Sequence, residues 1–173
     1  RAAFAIPPEY TPMAMIAVII LDLWPPVPVL HGGLALLLSV LHGLRISGWR
    51  SLRTRGDPML WVLHLAYAWL PLGFALKGLV LLGNVAWAQH WQHAFGIGAI
   101  ATMILAVTTR TALGHTGRPL VVSRPIVVAY LLLALAAVLR VAGPVFWPDS
   151  YSGVLLAAGI NGLPASRLPE FLE

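Results

Sequence analysis

Six histidines and no cysteine set the chemistry open to this chain of 173 residues. Without thiols, disulfides, thiolate ligands and iron–sulfur clusters are excluded. Imidazole nitrogens remain as the main donors for a transition metal, and neutral imidazole binds copper, zinc and haem iron. The histidines are His31, His42, His64, His90, His93 and His115. His31 and His42 stand eleven residues apart, close to three helical turns, so a helix holding both shows them on one face. His90 and His93 stand three apart and are neighbours on a helix surface. The plainer role for any of them is a hydrogen bond to a backbone carbonyl or an adjoining helix.

The elements that carry these residues are written in the composition. The chain is 59% hydrophobic and 10% charged, with a mean hydropathy of +0.84. Soluble domains carry about 25% charged residues. So little charge cannot coat a water-soluble surface, and the fold class is an all-α bundle of membrane-spanning helices. The net charge of +5 comes mainly from arginines between apolar runs, which points to membrane topology and away from nucleic acid.

Six spans are expected, at about 10–24, 27–46, 58–82, 87–111, 125–142 and 150–163, forming one transmembrane bundle over 1–173. The first is short, because only 12 residues separate Glu9 from Asp22. Pro71 lies inside the third and predicts a kink. The fourth runs from Trp91 to Thr109 without a charge, 19 residues, about a bilayer's hydrocarbon thickness. The sixth begins with SYSGVLLAAGI and is broken by Asn161, Gly162 and Pro164, so it is short or altered. The chain opens on Arg1 and enters apolar sequence without a signal-peptide pattern, and reads as a piece of a longer protein or a processed one.

Arginine placement orients the bundle. Arg45, Arg50, Arg53 and Arg55 cluster between spans two and three, and Arg110, Arg118 and Arg124 between four and five. The positive-inside rule places both loops and the N-terminus in the cytoplasm. His42, His64 and His115 then converge on the inner side, His64 roughly 9 Å in from Pro58 at 1.5 Å per residue. His31, His90 and His93 belong to the outer side. Three histidines at matched depth favour ligation, since polar groups inside a bilayer are costly and mark function. His31 and His90, near the interfaces beside Trp and Pro, read as structural.

Other marked residues have simpler expected roles. Trp61, Trp69, Trp87, Trp91 and Trp147 read mostly as an interfacial belt. Gly96 and Gly98 read as close-packing positions. Lys77 and Arg140 read as snorkelling cations, although an arginine would also suit a haem propionate. Gly114 to Gly117 reads as a helix end, with a phosphate-binding turn as the weaker alternative.

The blocks LWVLHLAYAWLPLG (60–73), His93 followed by Gly96 to Arg110, and LGHTGRPL (113–120) resemble the NnrS family of bacterial inner-membrane proteins. The resemblance covers most of 13–158. It implies a haem- and copper-containing protein of the nitric-oxide response and of denitrification, with nitric oxide as a possible ligand. Family members are about twice this length, with about twelve helices, so the chain corresponds to a C-terminal half whose partners are the lipid bilayer and the N-terminal half. Carried over residue by residue, the resemblance implies His42, His64, His93 and His115 as metal or haem ligands. Arg110 and Arg118 match as supporting residues, with Arg140 and Tyr67 beside them. The tail from Asn161 departs from the family's apolar final helix. Two other functions fit the residues themselves. One is a transporter or channel module, with Lys77, Arg140 and the third helix lining a path. The other is a quinol-linked oxidoreductase. Whether the protein is an enzyme is not settled by these residues.

Overall fold

The computed structural model describes residues 10–23, 27–49 and 51–146. All its regular elements there are helical: α1 Tyr10–Asp22, α2 Pro28–Ser47, α3 Pro58–Gly83, α4 Trp87–His115 and α5 Arg124–Phe146, with a 3-10 turn at Ser51–Thr54. The helices α2 to α5 are long and apolar enough to cross a membrane. At about 1.5 Å per residue, the 13 residues of α1 reach only about 20 Å. The span expected at 150–163 and Trp147 lie outside the described residues.

Local chemistry sets the helix limits. Asp57 starts α3, its carboxylate accepting from the Met59 N–H at 2.9 Å, with Pro58 in the first position where no donor is needed. Asn84 stops α3 in the left-handed region, φ 47°, its N–H returning to the Val80 carbonyl at 3.1 Å. Gly117 stops α4 at φ 64°. There the Arg118 N–H reaches the Leu113 carbonyl at 3.1 Å and the Gly117 N–H reaches Gly114 at 3.3 Å. That pair of bonds is a Schellman turn, so Gly114 to Gly117 forms a helix end.

Short connections make successive helices antiparallel neighbours. α3 lies in the middle, packed on α2 along its length and on α4 at its other side, while α1 rests on α2 and α5 on α4. The contacts are close because glycines meet large side chains. A Cβ on Gly98 would stand 2.4 Å from the Trp69 ring, and one on Gly78 would stand 2.6 Å from Leu36 and 3.2 Å from the Gly32 carbonyl. Gly96 faces open space, so of the two glycines expected to pack closely only Gly98 does. Trp69 is buried in this contact and is a core residue, not part of the interfacial belt. α3 continues through Pro71, whose carbonyl accepts from the Ser39 hydroxyl of α2 at 2.8 Å.

Lys77 also differs from its expected role. It is buried in the bundle and pairs with Asp22 of α1, and its ammonium lies 5.1 Å from the centre of the Trp91 ring. An amine inside a helix bundle needs a counter-charge more than it needs length to reach water.

α4 is not a uniform α-helix. It enters through a 3-10 turn at Ala86–His90, widens into a π-helix over Ala94–Ala101 and continues as α-helix over Thr102–His115. The Thr102 hydroxyl follows the wider winding, donating to the Ile97 carbonyl five residues back at 3.0 Å. π segments are uncommon and are frequent at functional sites. Large apolar side chains, including Leu131, Leu132 and Leu135 of α5, remain exposed, as expected of a surface solvated by lipid chains.

Candidate functional site

α2 and α3 bring two histidines together at the end of the bundle where the arginines cluster. His42, on the last turns of α2, is 2% exposed. Its Nδ1 lies 2.7 Å from the Tyr67 hydroxyl of α3, and Phe74 stacks on its ring at 5.7 Å and 8°. Its Nε2 is buried with no hydrogen-bond partner among the described residues. In the tautomer whose Nδ1–H donates to Tyr67 Oη the lone pair sits on Nε2, and in the other Tyr67 donates and Nε2 carries the proton.

His64, two turns into α3, is held in a similar way. The Thr54 hydroxyl gives its proton to the Ser51 carbonyl at 2.7 Å. Thr54 Oγ1 can therefore only accept from His64 Nδ1, which stands 3.3 Å away. That assignment leaves the His64 lone pair on Nε2 as well. Trp49 joins the two halves of this layer, its ring 4.5 Å from Tyr67 and 5.5 Å from His64. Both histidines thus have one ring nitrogen held against a hydroxyl, and the other is left as a donor atom in His64 and in the Nδ1–H tautomer of His42. Metal-ligating histidines are commonly arranged so. A spacing of 25 residues conceals the His42–Tyr67 pair in the sequence, and no periodicity marks Trp49, Thr54 or Phe74.

The other histidines lie apart. His115 is exposed at the end of α4. His93 is half-buried at the opposite end and stacks on His90, ring centres 5.9 Å apart at 7°. Arg140 of α5 lies within electrostatic reach of His93, and its Nε is buried without a hydrogen-bond partner among the described residues. Arg110 and Arg118 are exposed near His115 in the chain. His31 has a structural role: its Nε2 donates to the Leu21 carbonyl at 3.1 Å and its Nδ1 accepts from the Val27 N–H at 3.1 Å. Among the described residues no three histidines or carboxylates gather into one metal-binding group. The four expected ligands therefore divide between two ends of the bundle.

The model of the NnrS protein family matches residues 4–161. The chain belongs to the NnrS family. It is accordingly a membrane protein of a family associated with the response to nitric oxide. No curated protein and no solved structure matches it.

Proposed function

We propose that this NnrS chain is a haem- and copper-binding protein of the bacterial inner membrane that serves nitric-oxide tolerance. The observation that carries this reading is His42: a buried imidazole with Nδ1 held by Tyr67 and a bare Nε2. Leaving such an atom unpaired inside a bundle costs about 1–3 kcal/mol, and a metal bond would relieve that cost. The donor set fits haem iron or copper, for which neutral imidazole is a common ligand. His42 is the best-prepared ligand and His64 the second. His93 and His115 would serve separate positions, so each centre draws further donors from outside the described residues. Those donors would belong to the further helices of a longer chain. Arg140, with its unpaired Nε, suits the carboxylate of a bound porphyrin.

A bound metal would supply a coordination position for nitric oxide. The chain's own residues would hold the imidazole, keep its tautomer fixed and exclude water. The cytoplasmic placement of the arginine-rich loops belongs to the same proposal.

The test is the absorption spectrum of the full-length, haem- and copper-loaded protein, with metal analysis on the same sample. A Soret band that moves on adding nitric oxide, with copper near stoichiometry, is expected. Alanine in place of His42 should remove one of the two metals. A colourless, metal-free protein would overturn the proposal, as would unchanged metal content in the alanine variants of His42, His64, His93 and His115.

A further inference from the structure

We propose that a cavity at the arginine-rich end, between α2, α3 and α5, binds an anionic phospholipid. The cavity measures about 520 Å³, an ordinary size for a small-ligand site. Its polarity is graded along the helix axis. Ser51 and Arg55 line it at the level of the loop between α2 and α3, and Trp61 follows at the first turn of α3. Leu65 and Ala68 lie about 6 and 10 Å beyond Trp61 at the helical rise, facing the same space as Leu131 of α5. Leu131 is 54% exposed, so this wall opens on the side of the bundle that meets lipid.

The polar end offers donors. Among the described residues the Ser51 hydroxyl is buried without a hydrogen-bond partner and Arg55 has no ion-pair partner. The nearby Asp57 carboxylate is engaged at the start of α3. A ligand that satisfies both groups must present negatively charged acceptor oxygens at headgroup depth and continue into an apolar body. A phosphodiester bearing acyl chains has that shape, and basic pockets between transmembrane helices bind such headgroups. Free phosphate shares the anionic chemistry but leaves Leu65, Ala68 and Leu131 uncovered. His64, one of the proposed metal ligands, also lines this cavity, but the lipid is assigned to Ser51 and Arg55, which are not among those ligands, so substitutions there test the lipid site without removing a metal ligand.

The purified full-length protein, stripped of lipid in detergent, is titrated with phosphatidylglycerol and with phosphatidylcholine of the same acyl chains. Bound lipid is counted by native mass spectrometry. Phosphatidylglycerol should be retained in preference, and Arg55→Gln should weaken it about fivefold, the equivalent of one arginine near an anionic surface. Ser51→Ala should weaken it in the same direction. Phosphatidylglycerol with brominated chains should quench a component of tryptophan fluorescence that the Trp61→Phe variant lacks. Equal retention of the two lipids would overturn the site, as would a preference untouched by Arg55→Gln. Glycerol phosphate binding as tightly as the lipid, or decyl-ubiquinone displacing it, would assign the cavity to another ligand and overturn it equally.

Discussion

Tyr67 decides which nitrogen His42 can offer. Replacing it by Phe keeps the ring and removes only the hydroxyl 2.7 Å from Nδ1. Loss of such a partner costs about 10–100-fold in metal affinity. Tyr67→Phe should therefore weaken metal binding by that amount while the protein stays folded, checked by metal titration beside a melting curve. An equal loss of folding would mean that the hydroxyl serves packing instead. Lys77 poses a different problem. Lys77→Met leaves Asp22 without its counter-ion, but the Asp22 side chain is 40% exposed, so the cost falls below the 3–5 kcal/mol of a fully buried broken pair. We expect about 1–2 kcal/mol, seen as a lower melting temperature in detergent, with Asp22→Asn combined with Lys77→Met recovering part of it. The structural role of His31 was legible at this scale, because a histidine beside a proline-rich turn has backbone groups within reach. The bond from His42 to Tyr67 was not, since it depends on how two helices are rotated against each other.

At the scale of elements, composition settles helix and membrane but not rotation. Helices that are apolar nearly all round carry no stripe to say which face turns inward. The depth of a residue can be counted along the chain, whereas its azimuth comes only from packing. Gly98 shows what sets it. A Cβ there meets the Trp69 ring at 2.4 Å, so Gly98→Ala should cost about 1–3 kcal/mol as an overpacked contact. Trp69→Leu in the same chain should restore much of the loss, measured as a coupling between the two changes in thermal stability. Gly96→Ala, facing open space, should be close to neutral. The π-helix at Ala94–Ala101 was hidden for a related reason: its wider winding changes the phase of everything after it, and no residue type announces it.

For the molecule as a whole, the loop arginines cluster at one end, while Arg140 and the Lys77–Asp22 pair lie toward the other. The orientation inferred from that asymmetry is open to a direct check, because these 173 residues hold no cysteine and one introduced among them labels a known position. Arg53→Cys should resist a membrane-impermeant maleimide in intact cells and react after the membrane is opened, while Asn84→Cys should react from outside. The reverse pattern would turn the bundle over. The ion pair has one more consequence at this scale. A single charge moved across a membrane potential exchanges about 2.3 kcal/mol per 100 mV. Lys77 and Asp22 held together carry no net charge, so carrying them as a couple through the field of an energised membrane exchanges none of that energy.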